Sequence, residues 1–198
     1  SVQVSKTKQT GINSGYDPSP QDQKIIRTAD IRLEVSDVRK SAEEIAAIAD
    51  SVNGVVQSSS VNAGAGNQYS GTVTIRIPSD TFKNIVSRIE SLGKLTSSSV
   101  SAEDVTEEYV DLTAQKNALE NQLTQYNRIL SLAVNVSEIL EVQKEIERVQ
   151  VDLDRISGRM KYLDSRISFS TITVRMSEPA AVVTSTGVSA ASVISEGI

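Results

Sequence analysis

Five carboxylates fall within nine residues, Glu103, Asp104, Glu107, Glu108 and Asp111, with no basic side chain among them. Read on a helix, Asp104, Glu107, Glu108 and Asp111 stand three or four positions apart and share a face. Clustered carboxylates are what a hard cation such as Ca²⁺ takes as ligands. Two of them are also what general acid–base chemistry requires. The plainer reading is electrostatic, because acids favour the positive end of a helix dipole. No EF-hand spacing, nucleophile or second liganding loop accompanies the cluster, so these four acids are metal candidates without catalytic partners. The chain has no histidine, cysteine or tryptophan. That removes His/Cys zinc sites, Ser-His-Asp triads, thiolate nucleophiles, haem ligation and iron–sulfur clusters. No cofactor is expected and no catalytic residue is assigned.

Two further positions carry possible chemistry. Lys116 interrupts an otherwise apolar stripe, where it either sets register, pairs with an acid on a facing helix, or snorkels out to water. Asn135-Val136-Ser137 has the pattern of an N-glycosylation acceptor. The same asparagine, three residues before Glu138, also fits a helix-capping box. Gly64 and Gly66 lie in a strand-connecting loop rather than before a helix, so they do not form a phosphate loop. Tyr16, Tyr69 and Phe169 are too scattered in sequence to make a base-stacking platform.

The element that must position most of these residues runs from Asp104 to Arg166. Val105, Tyr109, Leu112, Lys116, Leu119, Leu123, Tyr126 and Leu130 recur at alternating spacings of four and three. Ile139, Val142, Ile146, Val149, Leu153, Ile156, Met160, Leu163 and Ile167 repeat the pattern. Two heptad seams joined near Ala133–Ser137 predict an antiparallel coiled-coil hairpin. Each arm would run to about 28 residues, or roughly 42 Å. Seam residues are used up in holding the hairpin together. Contact with a partner is therefore expected at the tip, around Leu130, Leu132, Val134, Asn135, Val136 and Ile139. The heptads fit equally a hairpin within one chain and a domain-swapped dimer; a short turn favours the first.

Around the hairpin the pattern is that of a sheet. Ile25–Val35 alternates with period two, placing Ala29, Ile31, Leu33 and Val35 on one face. Ser36-Asp37 offers a helix cap, and Val38, Ala42, Ile45, Ala46, Ala49 and Val52 give the helix an apolar face. Asn53-Gly54 stops it, and Val55–Val61 returns as a strand. The phrase then repeats: strand Gly71–Ile77, cap Ser79-Asp80, helix over Phe82–Leu92, stop at Gly93, strand Lys94–Val100. A fifth alternating stretch, Ser168–Met176, follows the hairpin. The expected fold is α+β: a ferredoxin-like sheet of two β-α-β phrases with both helices on one face. The long antiparallel coiled-coil hairpin is inserted before a final strand that returns to the sheet. Boundaries follow as a disordered tether over 1–24, a sheet domain over 25–102 and 167–177, the arm over 103–166, and a linker over 178–198.

The 198 residues suit one small domain plus such an arm. Net charge is −5. Residues 103–166 hold 13 acids and 8 bases, and the rest of the chain holds 12 of each, so the whole excess belongs to the arm. An acidic arm argues against nucleic acid or an anionic membrane surface as its partner. No stretch approaches the roughly 20 apolar residues of a membrane span. The chain begins at Ser1 rather than methionine, so we expect targeting segments to have been trimmed away.

Several phrases in this order resemble a known family. IRTADIRLEV, GTVTIRIP, LGKL, EDVTEEYVDL at 103–112 and SGRMKYLDSRISFSTITV at 157–174 resemble the extracytoplasmic domain of unknown function 4349, over about Ile25 to Glu178. The resemblance implies a bacterial or archaeal envelope protein. It implies a lipoprotein or signal segment before the domain and a transmembrane helix after it, both in segments this chain lacks. It supplies no catalytic residues. Together these readings predict a non-enzymatic, membrane-tethered extracytoplasmic scaffold whose arm binds a protein partner or another copy of itself. The alternative is a ligand-sensing domain of an anti-sigma-like membrane regulator, with a pocket or a bistable seam at Lys116.

Overall fold

A computed structural model describes residues 23–64 and 68–179. The tether expected over 1–24 and the linker expected over 178–198 lie almost wholly outside the described residues. The elements run β1 (Ile25–Glu34), α1 (Val38–Asp50), β2 (Val55–Ala63), β3 (Tyr69–Pro78), α2 (Phe82–Glu90), β4 (Lys94–Asp104), α3 (Thr106–Leu132), α4 (Val136–Ser168) and β5 (Phe169–Ser177). Among the described residues the fold is thus mixed α and β, with one five-stranded sheet and four helices, of which α3 and α4 are long. The chain divides into two compact units: residues 27–101 with 168 onward, and residues up to 26 with 102–167.

In the sheet unit, strands follow the order β2-β3-β5-β1-β4. β5 is parallel to β1, with Ile31 opposite Val174, and antiparallel to β3, with Val73 opposite Val174. β2 runs antiparallel to β3 with a bulge between Val56 and Ser58. The two β-α-β phrases are present, but their first strands, β1 and β3, are separated by β5. A sheet of the two phrases alone would leave β5 at an edge. Burial explains its central place. Ser170, Ile172, Val174 and Met176 alternate as fully covered positions, a covered face that suits a strand flanked on both sides. β2 and β4, each with three consecutive serines, are exposed along their whole lengths and take the edges.

One core fills this unit. Ala29, Ile31 and Leu33 of β1, Val73, Ile75 and Ile77 of β3, and Ile172, Val174 and Met176 of β5 meet α1 through Val38 and Ile45. They meet α2 through Phe82, Ile85 and Ile89. The alternate residues Asp30, Arg32 and Arg175 are exposed, and Arg175 donates to Asp30 at 2.9 Å.

Helix ends follow the sequence unevenly. Asp37 caps α1, its carboxylate accepting from the Lys40 N–H at 2.9 Å. At the other end Asn53, not Gly54, takes the left-handed conformation, with φ of 57°. Gly54 is needed for space instead, since a Cβ there would lie 2.7 Å from the Arg76 carbonyl oxygen. Ser79-Asp80 does not cap α2. Both enter a 3-10 turn, Ser79–Thr81, and α2 begins at Phe82 without a side-chain cap.

The helical unit is the predicted hairpin. α3 and α4 are joined by residues 133–135. Its most buried line on α4 is Val149, Ile156 and Leu163, seven residues apart, as a heptad seam requires. No residue of α3 is fully buried. Two helices cover only one stripe of each other, so Leu112, Leu119, Leu123 and Tyr126 remain half-buried. At the base, Ile26, Val105 and Leu163 form a small core with Tyr109, Leu112 and Ile167 against it.

Candidate functional site

The acidic cluster straddles a strand and a helix when folded. β4 extends to Asp104, four residues beyond the predicted strand, so Asp104 is not on a helical face with Glu107, Glu108 and Asp111. Its carboxylate instead accepts from the Thr106 N–H at 2.9 Å and the Thr106 hydroxyl at 2.6 Å. Those bonds hold its pKa below the usual carboxylate range. Glu108 reaches across to α4, accepting from the Arg159 Nε at 2.6 Å. The hydrogen bond to Glu108 raises the Arg159 pKa further. All five carboxylates, Glu103, Asp104, Glu107, Glu108 and Asp111, line one shallow surface recess together with Gln115. Among the described residues no three acidic groups converge to hold a metal ion.

Polar contacts the periodicity did not announce bind the base of the hairpin. The Tyr109 hydroxyl donates to Asp164 at 2.8 Å. That bond, with some burial, raises the tyrosine pKa above its ordinary value. The Lys24 ammonium lies 5.0 Å from the centre of the same ring. The Lys24 N–H donates to the Thr106 hydroxyl at 2.9 Å. A tyrosine at a seam position, 55 residues from an aspartate, offers no sequence signal of its partner. Lys116 is half-buried on the seam. It pairs with Glu120 at 3.7 Å along its own helix rather than with an acid of α4.

At the tip the six expected contact residues divide. Leu130 and Ile139 are half-buried members of the seam, not surface. Asn135 is the N-cap of α4, its side-chain oxygen accepting from the Glu138 N–H at 2.9 Å. Leu132, Val134 and Val136 are exposed by 74%, 95% and 72%. Two residues join them that the heptad reading passed over. Ile129 and Leu140 lie off the seam and are half or more exposed. Leu140 stands one turn beyond Val136, the spacing that could have revealed it. A shallow recess of about 270 Å³ lies among Ile129, Leu132, Ala133, Glu138, Glu141 and Val142.

Residues 23–198 match the family described as Domain of unknown function (DUF4349). The chain belongs to that family. No curated protein and no solved structure matches it. The DUF4349 match spans residues of both the sheet unit and the hairpin. Among the described residues of this DUF4349 domain, no helix is long and apolar enough to cross a membrane.

Proposed function

We propose that this domain is a non-enzymatic interaction module, held at an extracytoplasmic membrane surface, that presents the hairpin tip to a protein partner. The observation that carries this reading is the run Leu132, Val134 and Val136, three large apolar side chains largely in water around one three-residue turn. An apolar cluster at a loop tip is costly to solubility unless it has a partner. The turn itself is closed by the Asn135 cap and by the Ala133 N–H donating to the Leu130 carbonyl, so those side chains are not needed to make it. The acidic excess of the arm favours a protein with a basic rim around an apolar pocket. The sheet unit serves as the mount, which we read as a ferredoxin-like frame opened by one strand. Membrane tethering and the extracytoplasmic location rest on the family likeness of the sequence.

A photo-crosslinking residue in place of Val134, in the full-length protein in cells, tests the reading. A discrete adduct with a different envelope protein is the expected result. Absence of any adduct from Leu132, Val134 and Val136 in turn would overturn it.

A further inference from the structure

A groove of about 580 Å³ runs along one side of the hairpin between α3 and α4, with Tyr109 and Lys116 on one wall and Asp154, Ser157, Gly158 and Lys161 on the other. Ser157 and Gly158 are the smallest residues of its lining. A Cβ placed on Gly158 would meet nothing within 4 Å. A glycine in the middle of a 33-residue helix weakens that helix, yet no neighbour within the hairpin demands it. It does leave the α4 backbone open to close approach from outside.

The charges around this point are unevenly satisfied. Lys116 is paired with Glu120, and Asp164 accepts from Tyr109. Asp154 and Lys161 are exposed and, among the described residues, have no hydrogen-bond or ion-pair partner. Asp154 stands three residues before Ser157 and Lys161 three residues after Gly158, on one stripe of the helix. We propose that this groove seats α4 of a second copy of the chain, antiparallel, about a two-fold axis between Ser157 and Gly158. In that arrangement Asp154 of each copy faces Lys161 of the other, so one symmetric contact neutralises all four charges. A parallel packing would set Asp154 against Asp154 and Lys161 against Lys161. Gly158 lets the two helix axes approach toward the short end of the roughly 8–10 Å range. This contact uses a different surface from the tip and stands whether or not the tip binds a partner.

The chain has no cysteine, which makes a thiol test specific. Asp154 and Lys161 lie seven residues apart on one helix, about 10.5 Å, and a disulfide spans no more than about 7 Å between Cα atoms. Chains of these 198 residues carrying D154C or K161C are oxidised singly and as a mixture. The mixture is expected to give a covalent heterodimer that neither variant gives alone. In parallel, sedimentation of the unmodified chain is expected to show reversible dimers. D154K and K161D should each weaken dimerisation about tenfold, because each turns two attractions into two repulsions, and the double variant should restore it. Helicity by circular dichroism checks that every variant is folded. Covalent dimers formed equally by the single variants, or charge reversals without effect, would overturn the proposal. So would a chain that stays monomeric up to about 1 mM.

Discussion

Gly158 and Asp104 show how one residue's role depends on what surrounds it. Gly158 sits mid-helix with open space where a side chain would be. Its replacement by alanine is expected to raise the stability of the dilute, monomeric chain by about 1 kcal/mol, read as a higher denaturation midpoint in urea. Asp104, by contrast, works through its charge, accepting two hydrogen bonds from Thr106. Its pKa is lower in the folded chain than in the unfolded one. The stability it adds is therefore present above the ordinary carboxylate pKa of about 3.9 and disappears as pH falls through the lower folded value. Asp104→Ala should lower Tm at pH 7, and the difference from the parent chain should shrink toward pH 3. An unchanged difference at both pH values would exclude the charge as the cause. Neither role follows from residue type alone. The five-acid run suggested a shared helical face, but it straddles a strand and a helix; Thr106 at that boundary engages Asp104, and Arg159 of α4 engages Glu108.

At the level of elements, the hairpin was the most legible part of the sequence. A heptad repeat is a one-dimensional signal, and α3 and α4 obey it over nearly their whole lengths. Leu163 is fully buried where the seam meets the small core at the base. Leu163→Ala should cost roughly 2–5 kcal/mol, measured by denaturant unfolding followed at the helical circular dichroism signal. At the other end, Asn135→Ala removes the cap of α4 and should cost about 1 kcal/mol. Hydrogen exchange localises that loss: faster exchange confined to the first turn of α4 is expected, whereas faster exchange along the whole hairpin would contradict a capping role. Strand identity was legible too, because period-two alternation marks β1, β3 and β5 directly. Strand order was not, since pairing partners are chosen by how completely both flanks can be covered. The serine runs of β2 and β4 were the available clue to which strands take the edges.

On the scale of the whole molecule, the two units have separate cores. The larger one draws its buried residues wholly from β1, α1, β3, α2 and β5 together with Val35. A chain in which residues 106–167 are replaced by a flexible Gly/Ser linker of about twelve residues is accordingly expected to keep a cooperative thermal transition. Loss of that transition would mean the sheet core depends on the hairpin. The same separation suits an interaction module, since contacts made by the hairpin need not disturb the core of the sheet unit.

Much about this protein was determined by its sequence alone. Alternation and heptads specified which segments are strands and which are helices, and the count of acids placed the charge excess in the arm. The missing histidine and cysteine removed most metal and nucleophile chemistry. These properties belong to single segments or to composition, so they survive without knowledge of which segments meet. Tertiary structure decided the rest. It placed β5 between β1 and β3, committed Asp104 to Thr106 and Glu108 to Arg159, and left Asp154 and Lys161 unpaired among the described residues on either side of an open glycine. Each of these depends on a neighbour distant in sequence or on a strand-to-helix boundary, and periodicity within a single segment contains no record of either.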